Sequence, residues 1–396
     1  MRFTTYGQLA SRALARHTRA GIELLLSDLW TVASARESCV YGLGVARERG
    51  AATALARRGV AVSGASGTGL SVRRLPDFFI VGAPKCGTTA LYHYLSMHPA
   101  IFMPALKEPH FFCRDFPKFG KIHDLDSYLN LFARAADGAH IGEASVWYLY
   151  SKCAISQIMD ANPDARIIVM LRNPVMMAKS LHRQLILSLR EDIEDFESAW
   201  RAQYDRRSGK RLPLYCPEQS HLQYGDVCRY SHQIERMLEV VPAAQLKILI
   251  FEEFFDDIRA QYDSVTQFLG VECDGRTIFP PINVAREPKS DWLWQLVRRP
   301  PFPLDLLHGP AQTLSRMLGI RPIKLLNDLD SRVARKVSLS PEFERELYDF
   351  FAGDVMTLEK LLGRALPSWK APAIGRVSQT GKDIPALRQS RPNPCQ

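Results

Sequence analysis

The chain has 396 residues, 46% of them hydrophobic and 23% charged, with a formal net charge of +9 at pH 7. That length supports a substantial core, and one large α/β domain with appendages is the expected organisation. No segment reaches the roughly eighteen uninterrupted apolar residues of a membrane span, and the positive balance favours anionic ligands without choosing among nucleotide, polyanion and membrane surface.

Residues 1–60 carry nine arginines, no lysine and four acidic residues, a pattern of one or two basic amphipathic helices. A solvated arm packing on the main domain, a membrane-surface or polyanion contact through residues 1–35, and an organellar presequence all have this composition. Residues 61–74 form a Gly/Ser-rich linker, and residues 75–370 are expected to form the main domain. From residue 371 the composition turns to Pro, Gln, Arg and Ser, as in a disordered tail. The eight cysteines (39, 86, 113, 153, 216, 228, 273 and 395) show no C-x-x-C pair or metal-ligand spacing. Reduced thiols are therefore expected, and with no secretory signal a cytoplasmic location, peripheral at a membrane if the arm binds one.

The main domain opens with Asp77–Leu91, DFFIVGAPKCGTTAL. An apolar run ends at Gly82, a short loop carries Lys85, Cys86 and Gly87, and Thr88-Thr89 opens a helical pattern that runs to Met97. Strand, glycine loop and helix N-terminus in that order make an anion cradle, because the first helical amides lack partners and the helix dipole is positive there. The spacing is nearly that of a P-loop, but threonine stands at position 88 where an NTPase has lysine, and the lysine is displaced to 85. Cys86 reads as a small residue tolerated in the loop rather than a reactive thiol.

Further strands are expected at His140–Glu143, Arg166–Leu171 and Gln245–Phe251, with helices after Arg172-Asn173-Pro174, over Tyr230–Val240, up to Leu269 and over Pro341–Gly363. Residues 275–339 give a poor secondary-structure signal. Strands alternating with helices predict crossover units and a parallel sheet covered on both faces. Ligands of such sheets bind at the strands' carboxyl ends, where Lys85 and Arg172 both fall.

Three motifs combine: Lys85-Cys86-Gly87-Thr88-Thr89; Lys107-Glu108-Pro109-His110-Phe111-Phe112; and Arg172-Asn173-Pro174 with Ser180 eight residues beyond the arginine. Together they resemble the sulfotransferases that use 3′-phosphoadenosine 5′-phosphosulfate (PAPS), in particular the heparan sulfate sulfotransferases and their bacterial relatives. Gly142-Glu143-Ala144-Ser145 with Tyr148-Leu149, and LSPEFERELYDFFAGDV near the C-terminus, are similar to further family segments, so that the resemblance covers about residues 76–369. It implies a P-loop-like three-layer α/β fold with a central, mainly parallel sheet flanked by helices. It also implies a 5′-phosphosulfate loop at 85–89, a 3′-phosphate site at Arg172 and Ser180, and a catalytic glutamate at 108. The family's reaction needs no metal.

The residues themselves suit that chemistry. Lys85 can place positive charge on a leaving phosphate, and the amides of 86–89 can hold its oxygens. Glu108, with His110 second, is the candidate base for a hydroxyl or amine acceptor, carbohydrate or glycolipid by resemblance. Glu108 could instead pair with Lys107, and His110 could be a satisfied core histidine. Arg286 and Lys289, in the basic stretch Asn283–Ser290, either approach the 3′-phosphate or form a solvated turn. Trp147, Tyr148 and Tyr150 could line an acceptor cleft, with core packing expected for at least two of them. PAPS or its bisphosphate product and a glycan are the expected partners, nucleic acid is not, and no metal is expected. The competing readings are a P-loop kinase or NTPase and a non-catalytic polyanion-binding protein. Against the kinase stand Thr88 and the lack of an apolar strand ending in a magnesium-holding aspartate.

Overall fold

A computed structural model describes residues 74–214, 216–282 and 339–371, together with the backbone of 286–288 and 331–333. The basic arm, all but the last residue of the linker, and the tail past residue 371 lie outside the described residues, as do the Arg286 side chain and Lys289.

Five parallel strands form the central sheet: β1 (Phe78–Gly82), β2 (Ile101–Phe102), β3 (His140–Ala144), β4 (Arg166–Leu171) and β5 (Leu246–Ile250), in the order β2-β3-β1-β4-β5. The central strands β1 and β4 read FFIVG and RIIVML and are buried throughout apart from the half-buried Arg166, as strands covered on both faces must be. At the edge, β5 carries Lys247 and is half-buried over its first three residues. Phe78 pairs with Gly142 on one side and with Arg166 on the other. Gly142 has to be glycine, because a Cβ there would run into the Phe78 ring and the Met103 sulfur.

The crossovers are helical: α1 (Thr88–Ser96) follows β1, α2 (Leu125–Asn130) precedes β3, α3 (Ala154–Ala161) joins β3 to β4, and α4 (Pro174–Leu187) follows β4. Asn173 caps α4 by accepting from the amides of Val175 and Met176, with Pro174 at the first helical position. Then come α5 (Phe196–Arg201), α6 (Gln203–Arg207), α7 (Tyr224–Cys228) and α8 (Ser231–Leu238) before β5, and α9 (Phe251–Asp256) and α10 (Ile258–Leu269) after it. The long α11 (Pro341–Leu362) starts at a Ser340 cap and stops at Gly363, whose φ is +64°. Its buried Phe343, Leu347, Phe351, Val355 and Leu358 recur at three- and four-residue spacing, and this stripe seals the helix onto the domain.

The edge strand β2 and the helices α2, α3, α5, α6 and α7 go beyond the elements expected from the sequence, and the sheet is wholly parallel. In the region that gives a poor secondary-structure signal, Arg286–Pro288 pairs antiparallel with Ser331–Val333. Cys86, Cys113, Cys153, Cys216, Cys228 and Cys273 are all free thiols. Among the described residues no helix is long and apolar enough to cross a membrane.

Candidate active site

Because the sheet is parallel, the segments that follow β1, β3, β4 and β5 all emerge at one edge of it. The loop after β1 turns at Lys85, with φ +63°, and at Gly87, with φ +89°. Gly87 sits at the N-cap of α1, where no side chain caps the helix, so the amides opening α1 are left for a ligand. A Cβ on Gly87 would come within 2.9 Å of Phe255, 3.2 Å of Met170 and 3.3 Å of Phe251. Thr88 is buried, Thr89 half-buried. Cys86 is fully buried, its Sγ donating to the Pro84 carbonyl, and burial pushes the thiol up to about 12. A thiol so raised and buried is a poor nucleophile.

Lys85 Nζ donates to Gln184 Oε1 on α4 at 3.0 Å. Burial and the neighbouring Arg183 charge pull its ammonium down to about 8 from 10.5, with Glu108 pulling upward and Arg172 and Lys107 adding to the fall. Lys85, Glu108, Lys107, Arg172 and Arg183 thus share one electrostatic neighbourhood. Ser180 lies one helical turn before Gln184 on α4, which puts it on the helix face turned to Lys85.

Arg172, just past β4, donates from Nη1 to the Lys85 carbonyl at 3.4 Å, and its guanidinium lies 4.1 Å over the Phe251 ring. Its Nε is buried without a partner among the described residues. A guanidinium stacked on one face and short of one acceptor is prepared for an anion.

Glu108 and His110 both have positive φ, +61° and +55°. The Glu108 amide donates to the Ala144 carbonyl at the end of β3, and the His110 amide to Ser145 Oγ just beyond it. Those two bonds pin the Glu108–His110 turn over the sheet's carboxyl edge. Lys107 Nζ lies 2.6 Å from Glu108 Oε1, so the pairing weighed from the sequence exists. His110 Nε2 is 3.6 Å from Glu108 Oε2. Burial works to raise the Glu108 carboxyl, but His110 and the Lys107 ammonium outweigh it and hold it well below the ordinary carboxylate range.

His110 is buried, but it is not the satisfied core histidine that was weighed. Among the described residues neither ring nitrogen has a partner at hydrogen-bond distance, Glu108 standing at 3.6 Å, and burial lowers its pKa. His221 is likewise buried and without a hydrogen-bond partner among the described residues, stacked 3.6 Å from the Trp147 ring. Trp147 and Tyr148 are core residues, whereas Tyr150 is half-buried and stacks on Phe116. Glu143, fully buried beneath the turn, accepts from Tyr128 and Tyr148, and burial raises it to about 7.

The structure therefore gathers Lys85, Arg172 and Glu108 at one edge of the sheet and sets Ser180 on the adjoining helix face. Arg286 lies in the short antiparallel pair, apart from the five-stranded sheet. Sequence reasoning missed Gln184 and Arg183, although four- and three-residue spacing from Ser180 pointed to that face. It also missed Ser145 as the anchor of His110, which no local pattern announces.

An all-parallel sheet with an uncapped glycine loop after its central strand, and basic side chains at the neighbouring strand ends, defines a P-loop-like α/β protein built to hold phosphate-type anions. The profile of the sulfotransferase domain matches residues 75–279, more than half of the chain, and the chain belongs to that family. It is 31% identical over 205 residues to heparan sulfate glucosamine 3-O-sulfotransferase 3B1 of Homo sapiens, covering 52% of this chain and 48% of that protein. It is 33% identical over 155 residues to carbohydrate sulfotransferase 15 of Homo sapiens, covering 28% and 27%. Among solved structures, the sulfotransferase from Alicyclobacillus acidocaldarius aligns with a TM-score of 0.53 at 30% identity, over 75% of this chain and 99% of that one. The chain thus spans about half the length of the heparan sulfate relative, 48%.

Proposed function

We propose that this protein transfers the sulfuryl group of PAPS to a hydroxyl or amine acceptor, a carbohydrate or glycolipid by kinship with the relatives above. The observation that carries the reading is the meeting of Lys85, Arg172 and Glu108 beside the uncapped start of α1. The residues present fit the donor on two counts. The cradle at Gly87 has no room for a Cβ, and Arg172 keeps a buried N–H without an acceptor among the described residues.

When bound, PAPS supplies the sulfuryl group and a phosphate leaving group. The α1 amides and Lys85 would hold the 5′-phosphosulfate end, with Arg172 and Ser180 on the 3′-phosphate. The Lys85 ammonium places positive charge where negative charge develops on the leaving oxygen. Glu108 stays ionised and accepts the acceptor's proton at its carboxylate. Because its basicity is depressed, that proton moves late, once the acceptor oxygen or nitrogen has become acidic by bonding to sulfur. Displacing Lys107 from Glu108 would restore basicity to the carboxylate. Arg286 and Lys289 remain proposed closers over the 3′-phosphate, and a peripheral membrane contact through residues 1–35 remains proposed for the arm.

Thermal shift with adenosine 3′,5′-bisphosphate, ATP–magnesium and heparin tests the reading. The bisphosphate at about 100 times its Kd should add roughly 2.7 kcal/mol. Stabilisation by ATP–magnesium and not by the bisphosphate would favour a kinase, and by heparin alone a polyanion binder.

A further inference from the structure

The turn that carries Arg172 is held from four directions. Tyr230 Oη donates to the Arg172 carbonyl at 3.0 Å. The Asn173 amide donates to Glu252 Oε1 at 3.1 Å, and Asn173 Nδ2 donates to the Ser368 carbonyl at 3.1 Å. Asn173 Oδ1 is already taken by the start of α4. Glu252 spends its second oxygen on the indole N–H of Trp369, again at 3.1 Å. Trp369 is 2% exposed, with its ring centroid 5.9 Å from that of Tyr230. Phe251, on which the guanidinium rests, is the residue before Glu252. One carboxylate therefore ties the backbone beside Arg172 to an indole nearly two hundred residues away.

We infer that Trp369 and Glu252 are positioning residues for Arg172, so that a C-terminal segment lying beyond the matched domain, residues 75–279, completes the donor's 3′-phosphate site. The inference rests on the proposed donor reading. Trp369 is buried beneath the turn and needs no contact with ligand. It holds Glu252 at the distance that fixes the Asn173 amide, and with it the direction in which Arg172 leaves β4. Losing the indole N–H leaves a carboxylate oxygen without its buried donor, which re-aims the whole turn.

The test uses the full chain carrying Trp369→Phe, which keeps an aromatic ring and removes the N–H, and Glu252→Gln, which can serve the amide or the indole but not both. Binding is measured for adenosine 3′,5′-bisphosphate and for adenosine 5′-phosphosulfate, which has no 3′-phosphate. Each variant should weaken the bisphosphate by about tenfold, the worth of a misaligned charge-assisted hydrogen bond, and leave the phosphosulfate within about twofold. In turnover the loss should fall on KM for PAPS, with kcat within about twofold. Equal loss for both nucleotides, or a fall in kcat alone, marks a merely structural role and overturns the inference. So does bisphosphate affinity equal to wild type in both variants. A wild-type protein that binds neither nucleotide overturns the donor reading itself, and the inference with it.

Discussion

Lys85 carries a consequence that pH can expose. Its ammonium titrates near 8 in the folded protein and at 10.5 when unperturbed, so from pH 8 to 10.5 the unfolded chain holds more protons at this site. Its contribution to stability is therefore unfavourable below pH 8 and eases as pH rises through that window. A phosphate beside it reverses the balance and favours the charged form. Bisphosphate binding above pH 8 should take up a proton, seen in calorimetry as a binding enthalpy that changes with the buffer's ionisation enthalpy, and affinity should fall as pH rises. Lys85→Met should remove both effects. Unchanged buffer dependence in that variant would take Lys85 out of the phosphate site. The neighbouring Glu143 runs the other way. Its carboxyl, raised from 4.5 to about 7 by burial, adds a stability component that is present at low pH and lost as pH rises through 7.

At the scale of elements, β1, its loop and α1 form the unit on which the proposed chemistry depends. The strand and helix were legible because an unbroken apolar run ends at glycine and gives way to helical spacing. The proposed anion cradle rests on that order alone, since any helix start without a cap leaves amides unpaired. Arg172 and the α4 start were equally readable, for Asn-Pro after a buried strand is both a stop and a cap. Two-residue β2 carries too few side chains for a period, and α2, α5 and α6 are one to two turns long, so tertiary packing rather than pattern decides them. The hold of Ser145 on His110, and of Glu252 on Asn173, joins residues 35 and 79 positions apart, which no local window can show. Gly87 tests the unit. Gly87→Ala combines a φ of +89° with a Cβ 2.9 Å from Phe255. It should cost about 1–3 kcal/mol in denaturant unfolding and abolish detectable bisphosphate binding. Wild-type affinity in that variant would show that the loop is not the cradle.

Across the whole molecule, the sheet brings together segments that the chain keeps far apart. Lys85 comes from the β1 loop, Glu108 from the segment after β2, Arg172 from the end of β4, and the backing Trp369 from beyond α11. The C-terminal helix that leads to Trp369 is sealed by a stripe of five buried side chains although it lies outside the matched domain. The same arrangement separates roles. On the proposed reading the donor's phosphates face Lys85 and Arg172, and the acceptor side belongs to Glu108 and His110. Removing the Glu108 carboxylate should therefore stop the chemistry without emptying the donor site.

Transfer of label from sulfur-labelled PAPS to a panel of hydroxyl- and amine-bearing glycans, by the wild-type protein and by Glu108→Gln at saturating donor, tests the account most directly. Wild type should label at least one acceptor, and Glu108→Gln should lower the rate by about 10²–10⁴-fold while binding the bisphosphate as wild type does. Near-normal turnover by Glu108→Gln, or a wild type that binds the bisphosphate and labels no acceptor, would contradict it.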